Sequence, residues 1–148
     1  MELEIFTDGA SRGNPGHAGI GIVVFGKNRK VLDKYGEYIG RTTNNVAEYK
    51  GLISGLKCAK KYLPCSVSLF LDSELVVKQI RGEYRTKDEA LKAYFEFAKQ
   101  LLSEFERYKI SHIPREKNKD ADALANMAID KAFEKKQLAP EQQLSFKF

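Results

Sequence analysis

The sequence has no tryptophan, only two cysteines and two histidines, and no long apolar segment. Cys58 and Cys65 show neither a C-x-x-C motif nor the spacing of metal ligands. No apolar run approaches the roughly 20 residues that a membrane-spanning helix needs, and the N-terminus lacks a signal-peptide pattern. We therefore predict a cytoplasmic protein without membrane association.

Positive charge is in excess along the chain. Lys and Arg number 25 against 20 Asp and Glu, which gives a formal net charge of +5. A basic surface favours polyanionic partners, above all nucleic acid, although a basic protein with no such partner has the same composition. Charge alone therefore leaves both alternatives open.

Length and composition predict a single globular domain. The 148 residues are 43% hydrophobic, which is enough for a core that needs no disulfide. We predict that the domain spans residues 1–135 and is followed by a tail, residues 136–148. The tail is polar and contains Pro140, yet it ends with Phe146 and Phe148. We expect it to dock on the domain, to pair as an edge strand, or to be flexible.

Hydrophobic periodicity predicts five strands and four helices. The predicted strands are residues 2–7, 18–25, 31–39, 67–71 and 110–113, and the predicted helices are residues 44–62, 73–80, 88–108 and 121–133. The glycine-rich residues 9–16 are expected to form a loop, and Asn44 or Asn45 is expected to cap the first helix. The order β-β-β-α-β-α-α-β-α predicts an α/β fold, a mixed sheet that carries helices on its faces.

Four acidic residues lie at the ends of these elements. Asp8 and Asp72 end apolar strands, whereas Glu48 and Asp122 lie in the first turns of helices. Each has a local alternative: a turn for Asp8, a helix cap for Glu48 or Asp72, and a favourable helix dipole for Asp122. In a sheet covered by helices, however, such positions can converge on one rim. Clustered carboxylates require neutralisation, usually by hard divalent cations, and this points to metal-assisted phosphoryl transfer.

The residues around the acids resemble ribonuclease H of the type 1 branch, over about residues 2–135. The segments that carry the resemblance are Phe6-Thr7-Asp8-Gly9-Ala10, Gly13-Asn14-Pro15-Gly16, Thr42-Thr43-Asn44-Asn45-Val46-Ala47-Glu48, Leu71-Asp72-Ser73, and Asn118 with Ala121-Asp122-Ala123-Leu124-Ala125. Each segment is weak alone, but together they are specific. The resemblance implies a ribonuclease H-like fold in which three antiparallel strands are followed by two parallel ones, with helices on both faces.

The resemblance also implies a reaction and its cofactor. The expected activity is hydrolysis of the RNA strand of RNA–DNA hybrids by a monomeric endoribonuclease, which leaves 5′-phosphate and 3′-hydroxyl ends. Asp8, Glu48, Asp72 and Asp122 would be the catalytic and metal-binding residues for two Mg²⁺ ions, with Mn²⁺ as an alternative. Asp8 would bridge the ions, Asp122 would help to hold the ion that activates water, and Glu48 and Asp72 would hold the other.

Substrate-binding residues follow from the same resemblance. Gly13, Asn14 and Asn44 are expected to recognise the RNA 2′-hydroxyl groups, and Asn45 to face the DNA strand. Helix capping is the alternative role for the asparagines. Arg41 and Thr43 match a pocket for a phosphate of the DNA strand. The remaining residues of the predicted substrate-binding set are Glu74, Arg115 and Asn118.

Three features depart from the family pattern. The loop 114–118 lacks the histidine that many members carry there, and Arg115 or Lys117 is a candidate substitute. Glu74 stands where glutamine is common, and an ionised glutamate can only accept hydrogen bonds. Residues 81–87 replace the Lys- and Trp-rich protrusion of some members, so we expect modest, salt-dependent affinity.

Three other functions use the same fold. A relative that also cleaves double-stranded RNA needs the same metal site. A non-catalytic hybrid-binding module would not need all four acids, and an integrase-type DNA-processing enzyme would usually be longer than 148 residues. We therefore predict a nuclease, with RNA–DNA hybrid as its partner and double-stranded RNA as a second possible substrate.

Overall fold

The fold is built on one five-stranded mixed sheet. The structure, a computed structural model, describes residues 1–146 and the side chains of residues 1–134. The strands are β1 (Glu2–Gly13), β2 (Gly16–Phe25), β3 (Val31–Thr42), β4 (Ser66–Leu71) and β5 (Tyr108–His112), in the spatial order β3-β2-β1-β4-β5. The first three strands pair antiparallel, and β4 and β5 add parallel to them. This confirms the predicted fold class.

Four α-helices cover the sheet. They are α1 (Asn44–Ala59), α2 (Glu74–Ile80), α3 (Glu89–Leu102) and α4 (Lys119–Phe146). Side chains of α1, α2 and α3 pack with one face of the sheet in the main core, whereas the backbone of α4 lies against glycines of β2 and β3 on the other face. None of the helices described in residues 1–146 is long and apolar enough to cross a bilayer.

Several predicted boundaries were wrong, for local reasons. Thr43, not Asn44 or Asn45, caps α1, because its hydroxyl oxygen accepts a hydrogen bond from the Val46 amide at 3.3 Å. The predicted helix 88–108 is capped by Asp88 and already ends at Leu102. The last helix continues past residue 133 to Phe146, so much of the predicted tail is helical. The division at residue 135 stays a prediction.

The predicted loop over residues 9–16 is also wrong, because β1 and β2 continue through it. Their pairing extends from Asp8 opposite Gly21 to Gly13 opposite Gly16, and Asn14–Pro15 make the turn. Gly13 has φ of +110°, a backbone conformation that favours glycine. The hairpin therefore projects as a paired ribbon beyond the acidic residue Asp8.

Alternate residues of β2 face the two helical layers on either side of the sheet. Ile20 and Ile22 are fully buried in the main core, whereas Gly21 faces α4. A Cβ at Gly21 would lie 1.9 Å from the carbonyl oxygen of Ala121. The missing side chain thus sets the distance between β2 and the first turn of α4, which carries Asp122.

We predict that Gly21→Ala destabilises the protein by about 3 kcal/mol, because α4 must move to relieve the clash. Urea unfolding followed by circular dichroism measures this loss. Gly40→Ala is the matched control: Gly40 has φ of +82°, but a Cβ added there would meet no atom within 4 Å. Backbone strain there should cost only about 1–2 kcal/mol. Equal losses in the two variants would contradict the close-packing argument.

Candidate active site

Two of the acids are brought together by the parallel pairing of β1 with β4. Phe6 pairs with Phe70, so Asp8 and Asp72 each follow two residues later at the same edge of the sheet. Asp8 therefore lies within β1 just beyond its pairing with β4, and Asp72 directly follows the carboxyl end of β4, the end of a strand where open α/β sheets commonly bind ligands.

Glu48 joins them because α1 lies directly on β1. A Cβ at Gly9 would be 2.2 Å from the backbone of Ala47, so only glycine permits this approach. The Gly9 amide donates a hydrogen bond to Oε1 of Glu48 at 2.7 Å. Glu48 is therefore fixed by the strand that carries Asp8, and Thr43 takes the capping role that was its alternative.

Carboxylate oxygens of Asp8, Glu48 and Asp72 lie within 4.8 Å of one another. Asp8 and Glu48 are each only 4% exposed. Asp122, on the first turn of α4, is close enough to Asp8 for its carboxyl group to raise the pKa of Asp8. The structure thus places all four predicted acids at one site.

Burial and mutual repulsion disfavour the charges of these carboxylates. Burial, followed by the charge of Asp72, raises the pKa of Asp8 to about 7. Burial, followed by the charges of Asp8 and Asp72, also raises the pKa of Glu48. Oε2 of Glu48 is buried without a hydrogen-bond partner among the described residues. A cluster of oxygen ligands with one unsatisfied buried oxygen fits a hard divalent cation.

Asn118 is a buried residue that forms hydrogen bonds to the residues around this cluster. Its side-chain amide donates to the carbonyl oxygen of Thr7 at 2.9 Å and to Oδ2 of Asp72 at 3.3 Å. Its backbone carbonyl accepts from the Asp122 amide at 3.1 Å. Asn118 is 1% exposed, so it lies beneath the acids and not on the surface where a substrate-binding residue was expected.

The hairpin and the start of α1 hold several other predicted residues. Oδ1 of Asn14 accepts a hydrogen bond from the Asn44 amide at 3.1 Å, and Ser11 donates to the carbonyl of Thr42 at 3.0 Å. These contacts join the hairpin turn to the N-terminus of α1. Other predicted substrate residues lie close by in the chain; Gly13, Arg41 and Thr43 are exposed, and Asn45 is half-buried.

Glu74 and Arg115 lie at the margins of the acidic cluster. Glu74 forms an exposed ion pair with Lys78 at 2.8 Å, and its hydrogen bond to Lys78 lowers the pKa of Glu74. One Arg115 guanidinium nitrogen lies 3.8 Å from Oδ1 of Asp122. His112 is an exposed residue of β5.

Sequence reasoning missed two residues beside Asp122. The side-chain amide of Asn126 donates to Oδ1 and to the carbonyl oxygen of Asp122, and Arg12 contacts Asn126. The separation of four residues between Asp122 and Asn126 on one helix was the available signal, since such residues lie side by side. The contribution of Arg12 depends on how β1 packs with α4, which the sequence does not reveal.

Several known proteins are similar to this chain in sequence. A family model described as reverse transcriptase-like matches residues 6–128. A bifunctional protein of Mycobacterium tuberculosis is 44% identical over 133 residues, which are 89% of this chain and 36% of that protein. Ribonuclease HI of Halobacterium salinarum is 43% identical over 88% of this chain and 65% of its own length. The chain therefore spans about a third and about two thirds, respectively, of these relatives.

A further relative matches over almost its full length, and two solved structures share the fold. Ribonuclease H of Chromohalobacter salexigens is 36% identical over 95% of this chain and 93% of that protein. The crystal structure of RNase H1 from Halobacterium salinarum has a TM-score of 0.86 and 41% identity, and covers 88% of this chain and 99% of that one. LC11-RNase H1 in complex with an RNA/DNA hybrid has a TM-score of 0.85 and 42% identity, with the same coverage. By sequence and by fold, the chain belongs to the ribonuclease H family.

Proposed function

We propose that this protein is an endoribonuclease that hydrolyses the RNA strand of RNA–DNA hybrids and leaves 5′-phosphate and 3′-hydroxyl ends. The observation that carries the proposal is the convergence of Asp8, Glu48, Asp72 and Asp122 at one edge of the sheet. The complex of the similar LC11-RNase H1 with an RNA/DNA hybrid supports the choice of substrate.

The four acids are the proposed ligands of two Mg²⁺ ions, and Mn²⁺ is the alternative. Asp8 would be shared between the ions, Asp122 would complete one site, and Glu48 and Asp72 the other. When bound, the ions would make a water molecule nucleophilic and offset charge on the leaving 3′ oxygen.

The chain's own contribution is to hold these oxygens in place before the substrate arrives. The Gly9 amide fixes one oxygen of Glu48 and leaves Oε2 free to coordinate. The amide of Asn118 fixes one oxygen of Asp72. We therefore assign Asn118 to positioning and not to substrate contact. Ligands that are held in advance need no rearrangement during the reaction.

The exposed rim around the hairpin is the proposed contact surface for the hybrid. Gly13, Asn14 and Asn44 would recognise the RNA 2′-hydroxyl groups, because short polar groups and backbone can reach them in the minor groove. Arg41 and Thr43 would hold a phosphate of the DNA strand, and Asn45 would face that strand. Glu74 and Arg115 would contact the substrate at its margins. A cytoplasmic monomer remains our prediction.

A cleavage assay on four duplexes of one sequence tests this proposal. Each duplex pairs a labelled strand of RNA or DNA with RNA or DNA, and each is tested with Mg²⁺ and with Mn²⁺. We expect cleavage of the labelled RNA strand in the hybrid and of no DNA strand. Cleavage of double-stranded RNA at a similar rate would favour the broader nuclease. Hybrid binding without any cleavage would favour a binding module and contradict the proposal.

A further inference from the structure

Arg12 and Asn126 connect the β1–β2 hairpin to α4 beside Asp122. Nη2 of Arg12 lies 3.3 Å from the side-chain oxygen of Asn126 and 3.3 Å from its carbonyl oxygen. Nη1 of the same guanidinium forms an ion pair with Asp130 at 2.7 Å. Both terminal nitrogens of Arg12, Nη1 and Nη2, thus contact residues that lie one helical turn apart on α4.

The amide of Asn126 continues this chain of contacts to the acid. Its Oδ1 accepts from Arg12, and its Nδ2 donates to Oδ1 of Asp122 at 3.3 Å and to the carbonyl of Asp122 at 3.0 Å. A guanidinium can only donate, so Arg12 determines which end of the amide faces Asp122. We propose that Asn126 is a positioning residue for Asp122 and that Arg12 sets the orientation of its amide. This inference rests on the proposed metal-dependent nuclease function.

Asp122 is held differently from Glu48 and Asp72. Glu48 receives a backbone donor from β1, and Asp72 receives the buried amide of Asn118. The side chain of Asp122 is 31% exposed, and the Arg115 nitrogen near its Oδ1 is more distant, at 3.8 Å, and belongs to a side chain that is 78% exposed. Asn126 contacts Oδ1 of Asp122, the same oxygen that Arg115 approaches, and it does so from the same helix at the shorter distance of 3.3 Å.

The same contacts link Asp122 to the proposed substrate surface. Arg12 immediately precedes Gly13 and Asn14, and Asn14 is bonded to the first residue of α1. A hybrid that contacts the hairpin turn would therefore also affect the position of Arg12. Substrate binding and the position of Asp122 would then be coupled through the Arg12 guanidinium and the Asn126 amide.

We test the proposal with Asn126→Ala, Arg12→Met and the double variant. Asn126→Ala is expected to lower kcat on a blunt hybrid about tenfold, with KM within about twofold, since loss of a residue that orients a metal ligand costs roughly 10- to 100-fold in metal affinity or activity. Arg12→Met should give a smaller loss in kcat. The double variant should equal Asn126→Ala, because both changes break one connection.

A second readout does not depend on cleavage. The melting temperature of each protein is measured over a series of Mg²⁺ concentrations, and the metal-free protein is measured alongside. We expect Asn126→Ala to raise the Mg²⁺ concentration for half-maximal stabilisation severalfold, with little change in the metal-free melting temperature. Asp130→Asn is the matched control: it removes the ion pair with Arg12 but leaves the bonds to Asn126, so Mg²⁺ dependence should stay near wild type.

Asn126→Asp keeps the size of the side chain but removes the group that donates to Asp122. The carboxylate still accepts from Arg12 but cannot donate to Asp122, so this variant should be at least as impaired as Asn126→Ala. Near-normal Mg²⁺ dependence of Asn126→Asp would overturn the inference, and so would multiplicative losses in the double variant. A rise in KM for Arg12→Met with normal Asn126→Ala would instead make Arg12 a direct substrate contact. If wild type cleaves no hybrid, the proposed function fails, while the Mg²⁺ series still reports on Asn126.

Discussion

Asp8→Asn is expected to abolish cleavage of an RNA–DNA hybrid, with a rate at least about a thousandfold below wild type, or roughly 4 kcal/mol of lost transition-state stabilisation. Asp8 is central to the cluster, since its pKa is affected by Asp72, Glu48 and Asp122 together. Asparagine has nearly the same shape but lacks the negative charge that the two proposed cations would share. The fold should therefore persist while the metal site is lost.

A gel assay on a hybrid with labelled RNA measures the loss, and circular dichroism confirms that the variant is folded. Asp120→Asn is the matched control, because Asp120 is an exposed acid two residues from Asp122 on the same helix turn. That variant should cleave at a rate within about twofold of wild type. Near-normal cleavage by Asp8→Asn would refute the metal-site assignment.

Neighbouring residues provide the helix caps that were the alternative roles of Glu48 and Asp72. Thr43 caps α1, so Glu48 is not needed there. Ser73 caps α2 by accepting from the Val76 amide at 3.3 Å, so Asp72 is not needed there either. Asp8 and Glu48 are buried, and burial together with the neighbouring acids disfavours their charged forms. A bound divalent cation would supply the missing compensation.

Much of this fold and site was predictable from sequence because the signals are local. The alternation of β1 and the helical spacing of α1 predicted the elements, and the flanking residues of Asp8 and Asp72 predicted the acids. The extent of the β1–β2 hairpin was not predictable, since the glycines that suggest a loop serve close packing instead: Gly9 against α1, and Gly16 against Arg12 across the hairpin. The buried position of Asn118 and its contact with Thr7, 111 residues away in the chain, depend on tertiary structure.

Chelation with EDTA should abolish cleavage and leave a folded protein whose stability depends on pH. The pKa of Asp8 is about 7 in the folded state, whereas an unfolded aspartate titrates near 4. Between these values the folded state holds the extra proton, so the stability of the metal-free protein falls as pH rises from about 4 through 7. Burial raises the pKa of Glu48 as well, which adds to the same trend.

Thermal melts in EDTA from pH 5 to pH 8 measure this trend, and Asp8→Asn should weaken it because that side chain has no proton to lose. Mg²⁺ favours the ionised carboxylates, so it should raise the melting temperature more at pH 8 than at pH 5. Restored cleavage on adding Mg²⁺ back separates metal loss from unfolding. A wild-type profile that parallels that of Asp8→Asn, or full activity in EDTA, would show that charge repulsion at this site is not what the metal relieves.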